Sequence, residues 1–119
     1  MKLFDSEIKV MNVIWERGDI TAKEISNILA EEIGWNMNTT YTVIKKCIAK
    51  GAVERWEPKF VCHALISREE AQAESIDELS KKMFGGSSEQ MFAALLSSRK
   101  ISDKELNRLK EIIDNYAEE

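Results

Sequence analysis

"NTTYTVIKKCIAKGAVERWEPKFVCHALI", residues 38–66, decides the fold. Two patterns meet at Gly51. At ~100° per residue, Val43, Ile44, Cys47 and Ile48 gather within about 80° of Thr40, while Asn38, Thr42, Lys45, Lys46 and Ala49 lie on the other side. That is an amphipathic helix, with Asn38 placed as its N-cap and Gly51 as its stop. Beyond the glycine, "AVERWE" and "KFVCHALI" are rich in β-branched and aromatic residues and read as two strands. Pro58, in the tight turn between them, cannot donate to a ladder and ends pairing on one side. A helix therefore runs directly into a β-hairpin.

The same helix is anomalous in charge. Residues 38–51 contain Lys45, Lys46 and Lys50 and no Asp or Glu, in a 119-residue chain of net charge −4. The acidity lies elsewhere. Residues 1–66 hold nine basic and nine acidic side chains, whereas residues 67–119 hold eight and twelve. A surface that binds nucleic acid all over would be basic, so any such contact must come from a local patch in the first half.

Upstream, Asp5 to Arg17 reads as a helix capped by Asp5 or Ser6, with Ile8, Met11, Val13, Ile14 and Trp15 on a broad apolar face and Gly18 as its stop. Thr21 followed three residues later by Glu24 is a capping-box pattern. It opens a second helix, Ala22 to about Glu32, whose Ile25, Ile28, Leu29 and Ile33 share one face before Gly34. The short link from Ile33 to Asn38 suits a helix-turn-helix corner. Trp15, Trp35 and Trp56 read as packing anchors, with Trp35 stapling the third helix to the second and Met37 beside it.

Downstream, the pattern is purely helical. Ser67 with Glu70 and Ser102 with Glu105 are capping pairs, and Gly85-Gly86 divides the helices. Ile76, Leu79, Met83, Phe84, Met91, Phe92, Leu95, Leu96, Leu109, Ile112, Ile113 and Tyr116 form faces too apolar for three short helices standing alone. A second copy would cover them, and a two-fold dimer would carry two recognition helices to half-sites one DNA turn apart.

Three helices followed by a hairpin is the order of a winged helix-turn-helix. The expected fold is mainly α with a small β-hairpin wing over residues 1–66, followed by a helical dimerisation region over residues 67–119. In this order the third helix enters the major groove. Lys45, Lys46 and Lys50 then neutralise phosphates, and Thr39 and Thr42 contact phosphate or base atoms. Tyr41 sits on the flank, Asn38 at the helix start, and Lys59 at the wing tip. The competing reading is a winged-helix protein-interaction module without an operator.

Other classes fit poorly. One histidine, no glycine-rich phosphate loop and no nucleophile–base pairing give no enzyme. Cys47, Cys62 and His63 fall short of the roughly four ligands of a zinc framework. Cys62 and His63 are neighbours on a strand and point to opposite faces. We therefore expect no metal and no cofactor, with a thiol or metal sensor as a minor alternative. No apolar run reaches the ~18–20 residues of a membrane span. "MKLFDSEIKV" places an acid and a serine where a signal peptide has its apolar core. The expected compartment is the cytoplasm.

The stretch from Ser6 to Arg55 resembles the winged-helix repressors of the BlaI/MecI penicillinase-repressor family. The likeness rests on Trp15-Glu16-Arg17-Gly18, Thr21-Ala22-Lys23-Glu24-Ile25, Trp35, Thr39, Thr42 and Lys50-Gly51, and "ISDKELNRLKEIIDN" looks like the family's last helix. The resemblance implies a homodimeric transcriptional repressor on a palindromic operator. By position, Asn38, Thr39, Tyr41, Thr42 and Lys46 match the family's recognition-helix contacts, with Asn38 and Tyr41 replacing charged side chains of some relatives. For the antibiotic-resistance relatives it also implies an inactivating protease or membrane sensor as partner. The corresponding stretch here, Phe92 to Leu96, reads "FAALL" and lacks their Asn-Phe pair. Copper-responsive relatives carry a C-terminal cysteine cluster, whereas this chain has no cysteine after Cys62.

Overall fold

In a computed structural model, which describes residues 1–98 and 100–118, the order is α1 (Asp5–Arg17), β1 (Ile20–Thr21), α2 (Ala22–Ile33), α3 (Met37–Ala49), β2 (Val53–Trp56), β3 (Val61–Ala64), α4 (Arg68–Met83), α5 (Ser88–Ser97) and α6 (Asp103–Glu118). The chain forms two compact units, Met1–Ile76 and Asp77–Glu119. No helix among the described residues is long and apolar enough to cross a membrane.

The first unit is built on one core. Val10, Met11, Val13 and Ile14 of α1 meet Ala22, Ile25 and Leu29 of α2 and Val43, Ile44 and Cys47 of α3. Ile20, Ala52, Val53 and Cys62 close it from the sheet. The apolar spacing of all three helices anticipates this packing, except that Ile33 is exposed. The expected hairpin is present but shorter, and it is part of a three-stranded antiparallel sheet of order β1-β3-β2. Ile20 and Thr21 pair with Cys62 and Val61. A two-residue strand is too short to leave a period-2 pattern.

Two caps differ from expectation. The N-cap of α1 is Phe4, not Asp5 or Ser6, and its backbone N–H donates to Oε1 of Glu7 at 2.7 Å. The N-cap of α3 is Asn36, whose Oδ1 accepts from the N–H of Thr39 at 2.8 Å. Both Asn36 and Asn38 are good caps by type. The upstream one wins because the helix already includes Met37, which leaves Asn38 in the first turn. Thr21 caps α2 as expected, accepting from Glu24 N–H at 3.1 Å.

Among the described residues Glu7 is the one buried carboxylate, 1 % exposed. Its Oε1 lies 2.6 Å from Nζ of Lys50 at the end of α3. That ammonium also donates to the carbonyl of Lys2 at 2.7 Å and stands 4.0 Å from the Phe4 ring centroid. Burial pushes the Glu7 carboxyl up. The Lys50 hydrogen bond, the Phe4 N–H and the charges of Lys50 and Lys46 outweigh burial and hold the carboxyl below its ordinary value.

In the second unit, α4 ends in a left-handed turn at Gly85, φ +57°, with Gly86 N–H donating to the Ser80 carbonyl at 2.9 Å. The left-handed glycine and this bond end the helix. Ser87 and Ser102 cap α5 and α6 through the N–H groups of Gln90 and Glu105, each at 3.1 Å. Leu79, Met83, Phe92, Leu95, Leu96, Ile112, Ile113 and Tyr116 are exposed, Tyr116 to 78 %.

Lys50→Met strands a buried carboxylate, and breaking a buried pair in this way costs about 3–5 kcal/mol. The folded pKa of Glu7 lies below its ordinary 4.5, so the pair's stabilisation is complete above about pH 4.5 and fades as pH falls through the folded value. Urea unfolding followed by circular dichroism should show a large gap between parent and variant at neutral pH, narrowing steadily on acidification. A gap independent of pH contradicts the assignment.

Candidate nucleic-acid interface

The α3 helix presents the two sides that its spacing requires. Thr40 is fully buried at the centre of one side, between Val43, Ile44 and Cys47. Asn38, Thr39, Thr42, Lys45 and Lys46 are exposed on the other. Among the described residues, the Lys45 and Lys46 ammonium groups carry no ion pair, and the first turn of α3 has no acid. Two free cations, two hydroxyls and an amide thus stand together on a helix without a carboxylate of its own. Such a face can neutralise phosphates and donate hydrogen bonds to groove edges.

Three of the sequence-selected side chains deserve separate placement. Lys50 leaves the set, because its ammonium is held by Glu7 and the Lys2 carbonyl. Tyr41 is half-buried, and its ring meets that of Phe60 edge-on, with centroids 5.8 Å apart and an interplanar angle of 88°. Lys59 is exposed in the hairpin turn, as placed from sequence.

Arg55 is the second basic side chain that the sequence offers the wing, beside Lys59. It pairs across the sheet with Cys62, so it lies on the core-facing side of β2, and its guanidinium stands 3.7 Å over the Phe60 ring centroid. The same guanidinium pairs with Glu57. The sequence signal was the strand alternation itself, which puts Arg55 opposite in facing to Glu54 and Trp56.

The outward face of the sheet carries a different cluster. Nδ1 of His63 is 2.7 Å from Oδ1 of Asp19, and Trp56 stacks on the His63 ring at 4.4 Å and 15°. Trp56 is 42 % exposed, so it covers a neighbour's ring instead of anchoring the core. Trp15 and Trp35 do pack against the core, with Trp15 Nε1–H donating to the Ile66 carbonyl at 3.0 Å. Met37 is exposed. Among the described residues no three His, Cys, Asp or Glu side chains are grouped to hold a metal ion.

Both thiols are buried in the core. Burial pushes Cys47 up to about 12, with the Glu7 charge adding to the rise. Burial likewise pushes Cys62 up to about 11, against the opposing charge of Arg55.

Helix-turn-helix plus a hairpin edge-paired to a short first strand defines a winged helix-turn-helix protein. The chain belongs to the penicillinase repressor family, whose profile matches residues 3–115. It is 24 % identical over 117 residues to the penicillinase repressor of Bacillus licheniformis, covering 97 % of this chain and 91 % of that protein. It is also 24 % identical over 110 residues to an uncharacterized 16.5 kDa protein in the ptsI 3′ region of Latilactobacillus sakei, covering 91 % and 75 %. Among solved structures, the DNA-binding domain of the repressor BlaI matches with TM-score 0.54 and 28 % identity, over 58 % of this chain and 87 % of that one. The monomeric form of Bacillus licheniformis BlaI in complex with the blaP half-operator matches with TM-score 0.53 and 28 % identity, over 59 % and 88 %. A MarR family protein from Bacillus stearothermophilus shares the fold at TM-score 0.53 and 18 % identity, over 99 % of this chain and 75 % of that one.

Thiols this buried are protonated and shielded near neutrality, and only the thiolate reacts readily. In the folded protein neither Cys47 nor Cys62 should react with Ellman's reagent at about pH 8, and both should titrate at once after unfolding in denaturant. Rapid labelling of the native chain would restore the thiol-sensor reading.

Proposed function

We propose that this protein is a homodimeric, sequence-specific DNA-binding repressor whose α3 lies in the major groove of a palindromic operator. The observation that carries the reading is the outer face of α3, where Lys45 and Lys46 stand unpaired beside Thr39, Thr42 and Asn38 with no carboxylate on the helix. Family membership and the DNA-bound BlaI relative support it. Residues 1–66 hold the DNA, with Lys59 adding a wing contact. Lys45 and Lys46 bind phosphates, and Thr42, Thr39 and Asn38 face the base edges and sugar-phosphate backbone.

Residues 67–119 form the dimerisation region in this proposal. The exposed apolar side chains of α4, α5 and α6 support it, since an uncovered patch of this kind marks an interaction surface. A second copy is the economical cover, because it also supplies the second α3 that a palindrome requires. The family further suggests an inactivating protease or sensor as partner. The segment Phe92–Leu96 that would be its target lies within α5 and lacks the relatives' Asn-Phe pair.

Thr42→Ala should cost about 1–3 kcal/mol of operator binding and relax specificity at one position. Lys46→Ala should weaken binding to all sequences and lower the salt slope by about 1. Electrophoretic mobility shifts against an operator selected from random DNA decide this. If both variants bind like the parent, α3 is not the reading element. Binding that shows no sequence preference and vanishes between about 50 and 200 mM salt would favour a protein-interaction module.

Analytical ultracentrifugation should find a dimer at micromolar concentration, and Ile112→Glu with Ile113→Glu should shift it to monomer and weaken operator binding. A monomeric parent contradicts the dimer.

A further inference from the structure

We propose that Phe60 and Tyr41 form a positioning bridge that fixes the wing against the recognition helix, so that Tyr41 acts on DNA through the wing and not by touching it. The inference rests on the reading of α3 and the hairpin as the DNA-binding surface.

Phe60 is the junction of three elements. Its carbonyl accepts from Ala22 N–H, at the start of α2, at 3.0 Å. Its ring takes the Tyr41 ring of α3 edge-on at 5.8 Å. On the same ring the Arg55 guanidinium of β2 stands at 3.7 Å, and Arg55 in turn pairs with Glu57 in the hairpin turn. The residue does this with φ +54°, a left-handed conformation rare for a bulky side chain. Such a conformation persists where the surroundings over-determine it, and here a backbone bond and two ring contacts do so.

The wing needs such a fixture. β2 and β3 are four residues each, and the last paired residues are Trp56 and Val61. Glu57, Pro58 and Lys59 project beyond them. Without the bridge, the tip would be ordered only by two short strands, and its ordering would be charged against DNA binding. With it, the Lys59 cation is held at a set place relative to Lys45 and Lys46 before DNA arrives. Both rings of the bridge are half-buried, which suits a joint better than a groove contact.

The test uses full-length protein and a duplex selected by the parent from a random-sequence pool, against a scrambled duplex. Phe60→Leu keeps apolar bulk but loses the aromatic ring. It should weaken binding about 5- to 10-fold and lower the salt slope by about one phosphate contact, ~0.9, with an unchanged circular dichroism spectrum. Phe60→Tyr should restore both affinity and slope. Tyr41→Leu should reproduce the Phe60→Leu loss, and the double variant should be no worse than either single one, the mark of residues acting through one contact. Losses that multiply in the double variant show Tyr41 touching DNA independently and overturn the bridge. So does a Phe60→Leu protein with parental affinity and slope. If the parent itself does not prefer the selected duplex, or Lys46→Ala changes nothing, the underlying DNA-binding reading fails and the bridge with it.

Discussion

Glu7 is taken out of water where the first turn of α1 meets the end of α3, and a carboxylate cannot stay charged there without a cation. Coulomb attraction at 2.6 Å in a poorly solvated site is strong enough to hold Lys50 against its own desolvation only because further bonds are made at the same place. Phe4 N–H satisfies the carboxylate, while the Lys2 carbonyl and the Phe4 ring satisfy the ammonium. The result ties the residues before α1, α1 itself and the C-terminal end of α3 into one arrangement. The α3 helix is seated on its apolar side by Val43, Ile44 and Cys47, but its end is fixed by this pair.

The pair also shapes the charge of α3. Of its three lysines, the one nearest the core is consumed internally, and the two exposed ones remain. Burying Glu7 and giving it Lys50 leaves Lys45 and Lys46 unpaired.

Much of this was legible in the sequence, where period and punctuation are strong. The helix spans of the first half, the hairpin after Gly51, and the Thr21, Ser67 and Ser102 caps follow from local rules that the fold leaves intact. What escaped depends on partners distant in sequence. β1 exists because Ile20 and Thr21 meet β3 some forty residues later. Lys50 looks like a groove lysine until Glu7 is placed beside it. Tyr41 looks like a flank contact until Phe60 arrives from the wing. Asn36 and Asn38 are equivalent as caps by residue type, and the helix begins at Met37, which makes Asn36 the cap. In each case the chemistry of the residue was readable and its partner was not.

The second half poses the converse problem, since its helices are readable and yet their apolar faces stay exposed. Helix propensity and caps specify α4, α5 and α6, yet Met83, Ile112 and Tyr116 remain 65 %, 61 % and 78 % exposed. Burying a side chain of that size is worth ~1.5–3 kcal/mol, so leaving a row of them in water forfeits more than a small unit can spare. On α6 the apolar stripe repeats through Leu109, Ile112, Ile113 and Tyr116. In the proposed dimer a two-fold copy would present the same stripe to itself. It would also bring a second Lys45 and Lys46 to the other half of a symmetric site.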